Sequence, residues 1–154
     1  MPYREKRNIE ASYVDKILSW LTEDSWSGIS VVKSRTEAYE KIPSICVEVS
    51  NHSPVLKEIG NYKNIRYFTV NIRIFADNDG QRLDLSDWLF YKLEETNINY
   101  YIYTITNGAV SSKILSGKLR INRWIDDGKE LTNTEDVDRK DKFRHILRFE
   151  VNIV

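Results

Sequence analysis

The sequence predicts an α+β fold: a mixed, mostly antiparallel sheet with two main helices packed on it. Three observations carry that expectation. Residues 66–76 set Phe68, Val70, Ile72, Ile74 and Ala76 on one face and Tyr67, Thr69, Asn71, Arg73 and Phe75 on the other, the period of a strand. Residues 9–22 and 81–95 place apolar side chains at three- and four-residue steps, the period of a helix with one buried face. Residues 143–154 return to period two.

In chain order, residues 1–8 form a charged N-terminal segment, in which Met1 to Arg7 carry three basic residues and one acid, net +2. The first helix, 9–22, gathers Tyr13, Val14, Ile17, Leu18 and Leu21 on one side. Turn residues from Glu23 to Gly28 end it, and Ile29 to Val32 read as a short strand. Residues 34–43 are polar and take no assignment. Ile45 to Val49 alternate with β-branched enrichment and are expected to stop at the loop cluster Ser50-Asn51-His52-Ser53-Pro54.

After the 66–76 strand, Asp77-Asn78-Asp79-Gly80 favours a turn and supplies side-chain acceptors for the free amides of a helix start. The second helix follows, with Leu85, Trp88, Leu89 and Leu93 in a stripe that can lie across the preceding strand. Burial of those four contributes about 1.5 to 3 kcal/mol each before entropy is counted. Further strands are expected at Tyr100–Ile105, Leu115–Ile125 and Phe143–Val154, the last with Phe143, Leu147, Phe149, Val151 and Ile153 on one face. Its final residue is expected to be tied into the sheet. Between them, residues 126–142 hold seven acidic and four basic residues, net −3, and read as a long charged loop or arm. Loops of that length are uncommon in compact domains, and both a solvated hairpin tip and an arm reaching a neighbouring chain fit them.

With 154 residues the chain suits a single domain, 1–154, with one core. It has no apolar run long enough for a membrane helix, and the charged start is not followed by the apolar run of a secretory leader. Cys46 is the only cysteine, so no disulfide framework or thiolate cluster forms within one chain. Lys plus Arg and Asp plus Glu are equal at 23 each, which removes a global attraction for nucleic acid and leaves open a local basic patch.

The sequence points to no enzymatic reaction, metal or cofactor. His52 and His145 are the only histidines; His52 sits in the Ser50–Pro54 cluster, and His145 shares a strand face with Leu147 and Phe149, the place of a packed or interface histidine. In Asp77-Asn78-Asp79-Gly80 the glycine comes too early for a calcium loop. Glu48 is followed two residues later by Ser50 where a metal-dependent nuclease needs lysine. Gly117-Lys118 and Gly128-Lys129 lack the upstream glycine of a phosphate loop. Tyr100, Tyr101 and Tyr103, or Tyr67 and Phe75 beside Arg66 and Arg73, can stack bases; core and interface packing explains them as well.

The order of helix, strand Ile45–Val49, segment Pro54-Val-Leu-Lys-Glu-Ile-Gly60, strand Tyr67–Ala76 and helix Arg82–Glu95 resembles tailed-bacteriophage neck proteins, in particular the tail terminator or tail completion family. The resemblance covers roughly residues 45–105, in pattern and not in invariant chemistry, and residues 126–142 have no counterpart in it. It implies a virion structural protein, assembled in the host cytoplasm, that forms a hexameric ring capping the tail tube and joining it to the head connector or portal-associated proteins. DNA would pass through such a ring without sequence-specific binding. A head-closure or connector adaptor protein of the same neck, and a small nucleic-acid-binding module, remain alternatives. The charges suggest which residues meet between subunits: basic Arg4, Lys6 and Arg7 against acidic Asp126, Asp127, Glu130, Glu135, Asp136 and Asp138.

Overall fold

A computed structural model of the chain describes residues 4–56, 64–129 and 143–154, with side chains at all of these except 51–56 and 64–65. The elements are α1 (Glu5–Glu23), β1 (Ser30–Val32), α2 (Arg35–Glu40), β2 (Ser44–Leu56), β3 (Asn64–Ala76), α3 (Asp79–Glu95), β4 (Ile98–Thr106), β5 (Ala109–Lys129) and β6 (Phe143–Ile153). They build a six-stranded sheet in the order β1-β2-β3-β6-β5-β4. Only the β1–β2 pair among these is parallel; β2–β3, β3–β6, β6–β5 and β5–β4 are antiparallel. The fold is thus α+β, as the periodicities require.

Alternation on β3 divides the sheet into two unlike faces. Phe68, Val70, Ile72, Ile74 and Ala76 are buried on the inner face, in register with Leu147, Phe149 and Val151 of β6 and Ile45 and Val47 of β2. Leu85, Leu89 and Leu93 of α3 and Ile9, Tyr13, Ile17, Trp20 and Leu21 of α1 complete this core. Tyr13 meets Phe149 edge-on at 5.6 Å, and Trp124 lies 5.0 Å from the same ring. The outer face carries polar residues such as Asn71, Arg73, Arg148 and Glu150, and where α2 covers it Val32, Ala38, Cys46 and Phe75 form a second, smaller cluster.

The helix starts follow local chemistry. Asn78 caps α3: its Oδ1 accepts from Gln81 N at 2.8 Å, while Gln81 Oε1 accepts from Asp77 N at 2.8 Å, a reciprocal capping arrangement. Asp24, at the end of α1, accepts from Trp88 Nε1 at 2.6 Å and faces Lys92 Nζ at 3.1 Å, which ties α1 to α3. Trp26 packs on Trp88 at 5.7 Å in the same corner.

Four sequence expectations change. Leu18 is exposed and Trp20 takes the inward position, because the buried stripe of α1 runs through Ile9, Tyr13, Ile17 and Trp20. A third helix, α2, occupies the unassigned stretch; Ser34 Oγ accepts from Glu37 N at its start. β2 does not stop at Val49: a register shift between Val49 and Asn51 absorbs Ser50, and pairing with β3 continues to Leu56. The backbone of His52 therefore pairs with Phe68 in a strand instead of lying in a turn. Finally, β5 extends to Lys129, so residues 126–129 are strand and not loop; pairing with β6 uses main-chain groups, and polar side chains on an exposed strand do not oppose it. Residues 130–142 lie outside the described residues.

Val154 is engaged as expected, since its N–H and carbonyl exchange bonds with Lys118 at 2.9 and 3.0 Å. The close approach requires Gly117, where a Cβ would stand 2.6 Å from the Val154 carbonyl oxygen.

Candidate assembly surface

Helix α1 packs against both β4 and β2, which occupy distant places in the strand order, so the sheet is curled around its inner face. Its polar residues meet the outermost strand. Ser12 Oγ accepts from Tyr101 N at 3.2 Å and Asn8 Oδ1 accepts from Tyr103 N at 3.3 Å, so alternate edge amides of β4 are satisfied by a helix. Asn8 and Ser12 are buried for this reason. On the other side, Glu10 accepts from the Val49 amide, and burial raises its carboxyl above the ordinary value despite Lys33 nearby. Tyr100 and Tyr103 are held by the same helix: Tyr103 donates to Asp15 Oδ2 at 2.7 Å, and Asn8 reaches the Tyr100 hydroxyl at 3.5 Å. Burial raises the pKa of both phenols and keeps them neutral. These tyrosines and Phe75 are packed, so the base-stacking reading does not describe them; Tyr101 is half-exposed, with Lys113 Nζ 4.6 Å above its ring.

A two-residue turn at Asn107-Gly108, both at positive φ (53° and 79°), joins β4 to β5. β6 pairs with β5 only from Leu119 onward, so the β4–β5 hairpin extends past it as a two-stranded ribbon whose base, Tyr101 to Tyr103, is held by α1. Every residue from Ala109 to Ser116 is exposed, including Val110 at 57%, Ile114 at 66% and Leu115 at 58%. Ile102, at 39%, is the cross-strand partner of Ile114. Clustered exposed apolar residues of this kind are the usual character of a contact surface.

At the start of α3, Arg82, His145 and Asp127 form a polar chain. Arg82 donates through NH1 to His145 Nδ1 at 2.8 Å and through Nε to Asp79 Oδ1 at 2.9 Å, and His145 Nε2 stands 2.7 Å from Asp127 Oδ1. A guanidinium only donates, so Nδ1 accepts and the ring proton sits on Nε2, donated to Asp127. Arg82 holds the Asp79 carboxyl below its ordinary value. His145 is thus the packed histidine its strand position implies.

Of the sequence-predicted interface residues, Arg4 and Lys6 are exposed at the start of α1, whereas Arg7 is half-buried with Nε and one terminal nitrogen shielded from solvent and without a hydrogen bond. Asp126 is exposed on β5, but Asp127 is engaged by His145 within the chain, which removes it from the free interface charges. Glu130, Glu135, Asp136 and Asp138 lie outside the described residues. The structure does not bring the basic and acidic groups together: Glu5 at the head of α1 pairs with Arg66 on β3, while Asp126 and Asp127 are aligned, through Arg148 and Leu147, with Asn71 and Ile72. At about 3.3 Å per residue these positions are roughly 16–20 Å apart along the sheet.

No family model and no curated protein matches this chain. The apolar ribbon was absent from the sequence expectations, although Asn107-Gly108 between two β-rich runs is the signal that marks it.

Proposed function

We propose that this chain is a structural subunit that assembles with copies of itself into a ring, and that the ring terminates the tail tube in the neck of a tailed bacteriophage and joins it to the head connector. The observation that carries the assembly is the projecting β4–β5 ribbon with Ile102, Val110, Ile114 and Leu115 exposed. Helix α1 satisfies the β4 edge amides at Tyr101 and Tyr103, so the ribbon offers side chains there and not a free strand edge. Separation of Arg4 and Lys6 from Asp126 within one subunit suits a heterologous contact, in which two different patches meet between neighbours and closure gives a ring. The phage assignment comes from the resemblance over residues 45–105.

Light scattering coupled to size exclusion, followed by negative-stain imaging, tests this. Closed rings are expected, and on mixing with tail-tube protein the rings are expected at tube ends. A monomer at every concentration that ignores tube and connector proteins overturns the reading.

A further inference from the structure

The outer face of the sheet concentrates arginine in a chain whose total charge is zero. Arg73 on β3, Arg148 on β6 and Arg123 on β5 form a diagonal row. Arg148 is in register with Asn71, two residues from Arg73; Arg123 is in register with Glu150, itself opposite Thr69. Each step therefore crosses one strand and moves two residues, about 7–8 Å between side-chain origins. Arg35 of α2 extends the row beyond β2 through Glu48, which it meets at 3.3 Å. These four arginines line one open groove of about 620 Å³, together with the hydrogen-bonding groups of Thr69 and Asn71.

The described strands of this face also carry carboxylates. Glu48 lies 3.2 Å from Arg73, Glu150 lies 3.6 Å from Arg123, and Asp126 is in register with Arg148 without a salt bridge between them. On the described strands Arg120 and Arg144 stand on the same face as Arg73, Arg123 and Arg148, which makes five arginines beside Glu48, Asp126 and Glu150 there. Arg148 donates to Asn71 Oδ1 at 2.7 Å, which orients its fork without neutralising it. Arg73 is only 5% exposed, so this cation is held in place before any ligand arrives.

We infer that this groove binds the phosphodiester backbone of a nucleic acid, independently of whether the chain forms a ring. Planar guanidinium forks match phosphate oxygens in pairs, and a row of them spaced across the sheet meets several phosphates at once. Among the described residues that line this groove there is no aromatic ring to stack a base. The contact is therefore sequence-independent.

Fluorescence anisotropy with labelled duplex and single-stranded DNA, and with inorganic triphosphate as competitor, tests it on the full chain. Three phosphate contacts predict that raising salt from 50 to 200 mM weakens duplex binding about 40-fold. In the double variant Arg123→Gln, Arg148→Gln the same change in salt is expected to weaken binding only about threefold to fourfold. Glu150→Gln, which removes the carboxylate competing for Arg123, is expected to tighten binding and guards against misfolding of the arginine variants. Absence of DNA binding at 50 mM salt, triphosphate binding without DNA binding, or a salt slope unchanged in the double variant overturns the inference.

Discussion

The two faces of one sheet do different work, and adjacent residues of β6 show it. Phe149 is fully buried on the inner face among Tyr13, Trp124 and Val70; Arg148, one position earlier, lies on the outer face against Asn71. The inner face derives its stability from apolar area removed from water, while the outer face holds cations paired with polar, partly solvated groups. Stability and recognition are therefore separated by the alternation of a strand, and substitutions on the two faces should fail in different assays.

The sharpest test of that separation is the neighbouring pair. Phe149→Ala is expected to cost about 3–5 kcal/mol in chemical denaturation, since a cavity opens in the main core. Arg148→Gln is expected to cost about 1 kcal/mol or less, the worth of one hydrogen bond. Equal losses would show that the outer face is also structural.

Next in size is the helix-covered edge. Asn8→Ala removes the acceptor of the Tyr103 amide and the donor to Tyr100 and is expected to cost about 1–3 kcal/mol, with faster hydrogen exchange at Tyr103. Gly117→Ala is expected to cost a similar amount, about 1–3 kcal/mol, by driving the Val154 carbonyl away and loosening its pairing with Lys118.

Smaller effects appear in pH profiles, with opposite signs. The Trp88 indole and Lys92 hold the Asp24 carboxyl below its ordinary value, so its stabilisation is complete above pH 3.8 and is lost as pH falls through the lowered value. Burial raises Glu10, so its contribution is complete below pH 4.5 and is lost as pH rises through the raised value. Thermal melts across acid pH are expected to show Asp24→Asn flattening the acid loss and Glu10→Gln flattening the opposing slope. Cys46 offers a further check: burial, reinforced by Glu48, raises its thiol to about 12, so alkylation at neutral pH should follow global unfolding.

What the sequence made legible was whatever depends on period and burial. The inner faces of β3 and β6 and the Leu85–Leu89–Leu93 stripe follow directly from spacing, because a two-layer core imposes those periods. Less legible were features settled by main-chain pairing. Asp126 to Lys129 have side chains suited to a loop, yet β6 recruits their backbone, and Ser50 to Leu56 are recruited by β3 in the same way. Helix α2 and the ribbon turn had local signatures in Ser34-Arg-Thr-Glu37 and Asn107-Gly108, which periodicity alone does not register. At the candidate interface, Arg4 and Lys6 are exposed as charged side chains ordinarily are, while Asp126 is exposed on a strand and not in the expected loop. The engagement of Asp127 by His145 and the diagonal of Arg73, Arg148 and Arg123 depend on strand order and register, which no single segment encodes.

Assembly through the β4–β5 ribbon is tested most directly by the solution mass of the wild-type chain beside Ile114→Asp, whose side chain is 66% exposed and outside the core. Light scattering is expected to give a multiple of the chain mass for the wild type and a single chain for the variant, with the same circular dichroism for both. The same mass for the two proteins would contradict the account.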